Sequence, residues 1–302
     1  MINAHDMTVL PRLAQQSLLI EVSLAPKPGL VDPFSVGAHV DMDYDLFITS
    51  IQAWSPYLKQ YLMIGATSSK LTTLFATLRQ VGAQGEAAML TATHQVNTHK
   101  GANFSYAILL GALGWCLKTQ TLKQICAQRF TTVFQTVKMM TAGITTADFA
   151  HVLAKSHWSY GEALYVKQGV TGIRGEAEAG YPMLQNVALP FLAQHADLPA
   201  ALRYLQLMVY LMAKLEDVNL LHRGGRSGLI RVQQAAQAIL DQGLTTAPSW
   251  AKALNSLDQQ LIDWHLSPGG TADLLALSIF FDQVVVSPVS WDVIAKGSKH
   301  EV

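Results

Sequence analysis

Charge is scarce in this sequence. Only 14% of its 302 residues are charged, whereas an ordinary globular domain carries roughly 25%. Apolar residues make up 50% of the chain, which excludes a disordered chain or a solvated coiled coil and indicates a large buried core. The 21 basic and 21 acidic residues cancel, so no overall field attracts nucleic acid or an anionic membrane. An anionic ligand would have to be bound by local positive charge.

Cysteines and long apolar runs are also scarce. The two cysteines, Cys116 and Cys126, form neither a CxxC pair nor a disulfide framework, which is typical of a reducing compartment. The strongest apolar run, residues 104–117, has 14 residues, whereas a membrane-spanning helix needs about 20. The first residues have neither the basic segment nor the apolar segment of a signal peptide. We therefore expect a cytoplasmic protein with no membrane and no nucleic-acid partner.

Alternation of polar and apolar residues, which indicates β-strands, is nearly absent. Apolar residues instead recur at helical spacing, as in Leu202, Leu205, Val209 and Met212. No repeat, low-complexity stretch or long linker divides the chain. We therefore predict an all-α protein, a single multi-helix globular domain over residues 1–302. The predicted helices cover residues 3–23, 43–62, 71–93, 102–118, 121–141, 146–157, 159–168, 178–194, 198–216, 227–242, 246–264 and 271–286.

Polar side chains and glycines are concentrated in the junctions between these helices, whereas the helices themselves have little charge. An active site is therefore predicted at the inter-helix junctions. The junctions read KPGLVD (27–32), GAHVDMD (37–43), NTHKGAN (97–103), RGEAEAGYP (174–182), EDVNLLHRGGRSG (216–228) and SPGGTADLL (267–275).

Two of these junctions have the residues of an anion site. Lys100 and the free N–H groups at the start of the next helix suit a phosphate, although a polar turn that caps the helix fits equally well. Arg223 and Arg226 flank glycines just before a predicted helix. Their planar guanidinium groups suit phosphate oxygens, and solvated arginines in a flexible turn are the alternative. Neither junction matches a recognised nucleotide-binding loop.

Carboxylates gather in the same junctions. Oxygen ligands suit magnesium, which keeps several waters and takes other ligands from substrate phosphates. Helix capping is the alternative explanation for each of these side chains. Zinc-binding and serine-hydrolase motifs are absent. The carboxylates are Asp32, Asp41, Asp43, Glu176, Glu178, Glu216, Asp217 and Asp273.

Taken together and in order, the junction motifs resemble those of the triphosphoribosyl-dephospho-CoA synthases, which serve citrate lyase and malonate decarboxylase. The chain departs from the family pattern at Val218, Asn103 and Gln95, where threonine, an apolar residue and glycine are usual. Val218 removes one possible hydroxyl ligand. The resemblance spans nearly the whole chain, through residues 21–32, 37–43, 86–89, 97–101, 174–177, 219–225 and 267–275.

The resemblance implies that ATP and 3′-dephospho-CoA are the substrates and that adenine leaves. The product would be 2′-(5″-triphosphoribosyl)-3′-dephospho-CoA, the precursor of an acyl-carrier-protein prosthetic group. A carrier-protein phosphoribosyl-dephospho-CoA transferase would use it next. The reaction is a substitution at the anomeric carbon of the ATP ribose, with the dephospho-CoA 2′-hydroxyl as nucleophile. It needs cations on the triphosphate, a base, stabilisation of oxocarbenium-like charge and a proton donor to adenine.

Chemistry and motif membership together suggest a role for each candidate. Glu176 is the candidate base or oxocarbenium stabiliser, and His99 is the candidate for proton transfer. The candidates for binding Mg²⁺, which would arrive with ATP, are Asp41, Asp43 and Asp217. The phosphate-binding candidates are Lys100, Arg223, Arg226, Lys27 and Arg174.

Two other functions are alternatives. A magnesium-dependent helical hydrolase of ADP-ribose or nucleotide linkages would use a similar set of residues, with water in place of the 2′-hydroxyl. An all-helical interaction protein is the non-enzymatic alternative, although it would have no use for clustered polar turns. Citrate lyase and malonate decarboxylase both use the proposed chemistry, so either pathway fits, and the resemblance implies no particular oligomeric state.

Overall fold

The computed structural model describes residues 3–297, with side chains through residue 286. These residues form helices joined by turns and loops and contain no β-strand, so the predicted all-α fold class is confirmed. The predicted single domain over residues 1–302 extends beyond them and stays a prediction. The helices are α1 (Ala4–Ser23), α2 (Tyr44–Trp54), α3 (Pro56–Thr67), α4 (Leu71–Ala92), α5 (Lys100–Cys116), α6 (Leu122–Ala127), α7 (Thr131–Met140), α8 (Ile144–Phe149), α9 (Tyr160–Gln168), α10 (Gly172–Glu178), α11 (Leu189–Gln194), α12 (Ala200–Lys214), α13 (Val218–Leu240), α14 (Ala247–Asp263) and α15 (Gly269–Gly297), with a 3₁₀ segment at Val152–Ala154 and a π segment at Leu184–Ala188.

Several predicted helix boundaries are wrong, for local backbone reasons. The predicted helix 43–62 is two helices, because Pro56 begins α3 and has no N–H to continue the preceding hydrogen-bond ladder. The predicted helix 121–141 divides into α6 and α7, where Arg129 and Phe130 have φ values of 50° and 59°. The predicted helix 146–157 ends at Phe149 as α8.

The junctions at 216–228 and 174–182 also differ from prediction. Helix α13 begins at Val218, so Arg223 lies in its first part instead of in a loop, whereas Arg226 follows the break at Gly225, close to the predicted helix start at residue 227. Gly225 interrupts this helix with φ 61° and ψ −164°. The predicted helix 178–194 is preceded by α10 and broken by a turn, in which Tyr181 has a φ of 56°.

Helices α5 and α15 form the centre of the protein. Helix α5 is apolar all round and packs against α3, α4, α7 and α15. Helix α15 packs against α1, α12 and α13 as well. By length and hydropathy its segment Gly269–Val286 could cross a membrane, but 56% of that segment is buried inside the protein, which is typical of a core helix. This packing brings the N-termini of α5 and α15 together.

Candidate active site

The N-termini of α5, α13 and α15 meet, and two aspartates join them. Asp217 precedes α13, and its Oδ1 accepts a hydrogen bond from the backbone N–H of Asn219 (2.9 Å). Its Oδ2 accepts from the backbone N–H (2.7 Å) and the hydroxyl (3.0 Å) of Thr271 in α15. Asp273 of α15 accepts a hydrogen bond from the backbone N–H of Ala102 in α5. We refer to this meeting point of three helix N-termini as the three-helix junction.

Two glycines permit the close approach of these helices. A Cβ at position 101 would lie 2.1 Å from Oδ2 of Asp273, and a Cβ at position 269 would lie 2.2 Å from Nδ2 of Asn219. Both distances are far shorter than van der Waals contact, so any larger residue would displace the polar groups. Gly101 and Gly269 therefore have a structural role at the three-helix junction.

A buried ion pair, Lys27 with Glu21, lies near the junction, and its charges shift the pKa values of groups there. Nζ of Lys27 is 2.7 Å from Oε1 of Glu21, and only 2% and 4% of the two side chains are exposed. Burial raises the pKa of Asp273 well above its usual value, and the charges of Glu21 and Asp217 raise it further. Lys27, predicted to bind phosphate, is thus neutralised by a carboxylate of the protein.

His99, which precedes α5, is buried and neutral. Its Nδ1 lies 3.0 Å from Oγ of Ser50, which is itself 2.6 Å from Oγ1 of Thr98. Burial, and to a smaller extent the charge of Lys27, lowers the pKa of His99 to about 3. When Ser50 donates to Nδ1, the imidazole proton lies on Nε2. That nitrogen is buried and has no hydrogen-bond partner among the described residues.

Glu176 of α10 and the buried Tyr181 lie close together, since the backbone N–H of Tyr181 donates to the carbonyl oxygen of Glu176 (2.6 Å). Oε2 of Glu176 accepts a hydrogen bond from the backbone N–H of Met183 (3.3 Å), and burial raises the pKa of Glu176. Tyr181 is fully buried. Burial is the main reason that the pKa of Tyr181 is raised, and the nearby carboxylates of Glu176 and Asp273 add to it. Glu176 and Asp273 therefore act on the same phenol from different helices.

Arg223 connects α13 to the loop between α1 and α2. Its Nη1 donates to the carbonyl oxygen of Ala38 (2.8 Å), and its Nη2 lies 3.1 Å from Nδ1 of His39. Nε2 of His39 lies 2.8 Å from Oγ of Ser267, just before α15. The motifs at 37–43, 216–228 and 267–275 are thus in direct contact.

Four of the five predicted phosphate ligands are already in ion pairs, and the fifth is Arg223. The four ion-paired side chains differ in exposure. Lys100, Arg174 and Arg226 are 56%, 32% and 63% exposed, whereas Lys27 is buried. Exposed ion pairs contribute little free energy, so an incoming phosphate can replace their carboxylates. The pairs are Lys27 with Glu21, Lys100 with Glu86, Arg174 with Asp148, and Arg226 with Glu216.

The three magnesium candidates have different environments. Asp41 is 57% exposed and lies 3.8 Å from His39. Asp43 caps α2 by accepting a hydrogen bond from the backbone N–H of Leu46. Both oxygens of Asp217 bind helix N–H groups. Residues 3–286 contain no group of three His, Cys, Asp or Glu side chains positioned to hold a metal ion, so magnesium binding stays a prediction.

Sequence reasoning gave no role to Arg79, Asp148 or Tyr181. Arg79 and Glu86 are seven residues apart on α4, which places them on one helix face and could have pointed to Arg79. Asp148 binds both Arg79 and Arg174, and no spacing rule connects these three helices. Burial of Tyr181 depends on a turn at positive φ that the sequence pattern does not predict.

Comparison with known proteins shows the family of this chain. A sequence profile of the ATP:dephospho-CoA triphosphoribosyl transferase family matches residues 7–288. Proteins named probable 2-(5″-triphosphoribosyl)-3′-dephosphocoenzyme-A synthase are 43% identical in Streptococcus mutans serotype c and 45% identical in Streptococcus equi subsp. zooepidemicus, each over 89% of this chain and 94% of its own length. The Streptococcus pyogenes serotype M18 protein of that name is 44% identical over 91% of this chain and 96% of its length. No solved structure matches this chain significantly.

The protein is an all-α transferase. It belongs to the ATP:dephospho-CoA triphosphoribosyl transferase family, the triphosphoribosyl-dephospho-CoA synthases. The resemblance drawn from the motifs is therefore confirmed.

The neutral state of His99 predicts how stability depends on pH. In an unfolded chain histidine titrates near pH 6.5, whereas in the fold the pKa of His99 is about 3. Because the folded pKa is the lower one, the unfolded chain is protonated first. The stabilisation is present above pH 6.5 and is lost as the pH falls toward 3. We expect His99→Gln to reduce the slope of unfolding free energy against pH by up to about 1.4 kcal/mol per unit between pH 6 and 4, measured by urea unfolding.

The control for this measurement is His157→Gln, which changes an exposed histidine. Its slope should equal that of the unaltered protein. Equal slopes for the unaltered protein and His99→Gln would show that His99 is not held neutral by burial.

Proposed function

We propose that this chain transfers the 5-triphosphoribosyl group of ATP to the 2′-hydroxyl of 3′-dephospho-CoA and releases adenine. One observation carries the proposal: motifs far apart in the sequence, which resemble those of the family, meet at the three-helix junction. Helix N-termini carry partial positive charge, which suits anionic substrates, although the N–H groups of Ala102, Asn219 and Thr271 are already bound by the two aspartates. Membership of the family supports the same reaction.

Glu176 is proposed as the base. In the reaction, the bond from the anomeric carbon to the adenine nitrogen breaks, and a bond to the 2′-oxygen of dephospho-CoA forms as its proton leaves. Burial raises the pKa of Glu176, which makes its carboxylate a stronger base. The same negative charge would stabilise the positive charge that develops on the ribose.

His99 is proposed to transfer a proton to the departing adenine. Its imidazole is neutral, so it would give the proton of Nε2 to the adenine nitrogen as the bond to the anomeric carbon breaks. The proton that Glu176 takes from the 2′-hydroxyl would replace it through solvent, so no net proton is lost. Ser50, 3.0 Å from Nδ1, and Thr98, 2.6 Å from Ser50, would hold the ring in position.

Lys100 and Arg226 are proposed to bind substrate phosphates, since their exposed ion pairs can open, and Arg174 is proposed to bind one through the N–H groups that Asp148 does not hold. Arg223 would bind a phosphate beside the loop that it contacts through Ala38 and His39. Lys27, which is buried against Glu21, would act on the substrate through its charge alone. We propose that Mg²⁺ enters with ATP as the counter-ion of the triphosphate, because this cation prefers phosphate oxygens and waters. Asp41 and Asp43 are the proposed contacts for its waters, and Asp217 would contribute mainly by holding the junction together.

We further propose a cytoplasmic enzyme whose product is the prosthetic-group precursor for the acyl carrier protein of citrate lyase or malonate decarboxylase. A carrier-protein phosphoribosyl-dephospho-CoA transferase would consume it. The resemblance of the motifs supports this placement.

The reaction predicts specific products from the purified protein. With ATP, Mg²⁺ and dephospho-CoA, we expect free adenine and a CoA derivative heavier by the triphosphoribosyl group, both measured by liquid chromatography and mass spectrometry. Adenine should appear only when dephospho-CoA is present, because the 2′-hydroxyl is the acceptor. Adenine release without dephospho-CoA would indicate a hydrolase, and release of ADP would indicate phosphoryl transfer. Either result would contradict the proposal.

A second prediction tests the role of Glu176. Glu176→Gln keeps the size of the side chain and removes the basic carboxylate, so kcat should fall on the order of 10²- to 10⁴-fold with little change in KM. The matched control is Glu178→Gln on the same helix, because Glu178 binds the backbone N–H of Gly143 and the Thr145 side chain at the start of α8. We expect the control to keep its kcat. A kcat for Glu176→Gln within tenfold of the unaltered enzyme would assign the base elsewhere.

A further inference from the structure

A cleft of about 240 Å³ lies between α4, α5 and α10. Its apolar walls include Phe75 and Phe104. Three cationic side chains also line it, namely Arg79, Lys100 and Arg174, together with Glu86, the carboxylate paired with Lys100. Two of these cations belong to the family motifs, but Arg79 lies outside them and has no role in the reaction described so far. The cleft therefore combines positive charge with an apolar wall close to the start of α5.

One carboxylate, Asp148 of α8, holds two of these cations. Nη1 of Arg79 is 2.5 Å from Oδ1 of Asp148, and Nε of Arg174 is 2.6 Å from Oδ2. Asp148 is only 11% exposed, whereas Arg79 is 45% exposed. Although burial acts in the opposite direction, hydrogen bonds from the two arginines lower the pKa of Asp148. Asp148 is therefore a charged anchor that fixes two guanidinium groups.

Asp148 does not use all the N–H donors of the two arginines, so others can bind a ligand. Arg79 contacts Asp148 through Nη1 and Arg174 contacts it through Nε, so the other N–H groups of each guanidinium are not used by this carboxylate. Two positive charges share one negative charge, which leaves the trio with a net positive charge. A planar guanidinium with free donors suits the oxygens of a phosphate.

We infer that this cleft is a phosphate subsite, in which Arg79 and Arg174 bind a phosphate group of one of the two substrates and Asp148 positions them. The inference rests on the proposed function, since ATP and dephospho-CoA both carry phosphate groups. The cleft is smaller than the roughly 300–1,000 Å³ of a pocket that encloses a whole ligand. It therefore fits one end of a substrate. Lys100 lines the cleft and also begins α5, which connects the subsite to the three-helix junction.

Calorimetry tests the subsite with each substrate separately. Binding of ATP with Mg²⁺, and of dephospho-CoA, is measured for the full chain and for its Arg79→Gln and Arg174→Gln variants. Loss of a charged, bidentate contact should weaken the binding of one substrate on the order of 10- to 100-fold and leave the other within about threefold. The substrate that loses affinity identifies the source of the phosphate.

Arg12→Gln is the matched control, because it removes an exposed arginine of α1 that does not line the cleft. Arg79→Lys keeps the charge without the planar fork and should give an intermediate affinity. Unaltered affinity for both substrates in Arg79→Gln and Arg174→Gln would overturn the inference, and so would an equal loss in Arg12→Gln. Adenine release by the unaltered protein is measured in parallel, so failure of the proposed reaction is distinguished from failure of the subsite.

Kinetics separates a positioning role of Asp148 from a purely structural one. Asp148→Asn keeps the size of the side chain but removes the charge that holds both guanidinium groups. The KM of the substrate identified above should rise on the order of tenfold while kcat is unchanged. A lower melting temperature with an unchanged KM would mean that Asp148 only connects α8 to its neighbours, and would overturn its positioning role.

Discussion

Asp217 is the side chain on which the geometry of the candidate active site depends most. One carboxylate accepts hydrogen bonds from the first turns of both α13 and α15, while only 1% of the residue is exposed. Removing it would leave buried N–H groups at two helix ends without acceptors, which costs about 1–3 kcal/mol for each group. Asp273, in the first turns of α15, extends these hydrogen bonds to α5 by accepting one from the backbone N–H of Ala102. The positions of Gly101, Lys100 and His99 all follow from this connection.

The sequence has few charged residues, and the structure shows how those near the junction are arranged. Several charged groups around the junction are paired, and the most deeply buried pair is Lys27 with Glu21. A buried pair is costly to break, because it leaves an uncompensated charge. We therefore divide the cations into two kinds. Lys27 adds a buried positive charge that lowers the pKa of His99 further than burial alone, whereas Lys100 and Arg226 can exchange partners with a substrate.

Sequence reasoning predicted the all-helical fold and the placement of polar motifs at helix junctions, because helical periodicity and glycine-rich turns are local signals. It placed Arg223 in a loop before a helix, since glycine is a poor helix former, whereas packing keeps residues 218–240 in one interrupted helix. It also treated Asp217 as a metal ligand. A capping contact with Thr271, which is 54 residues away, depends on tertiary packing that no spacing in the sequence encodes. The contacts of Asp148 with Arg79 and Arg174 cannot be predicted from the sequence for the same reason.

The central claim is that substrates bind where the N-termini of α5, α13 and α15 meet. Hydrogen–deuterium exchange, followed by mass spectrometry with and without ATP, Mg²⁺ and dephospho-CoA, measures this most directly. The account predicts slower amide exchange in residues 99–105, 217–222 and 269–274 together, with no change in α14 (Ala247–Asp263). Protection of α14 or another distant surface, with none in the three N-terminal segments, would contradict the account.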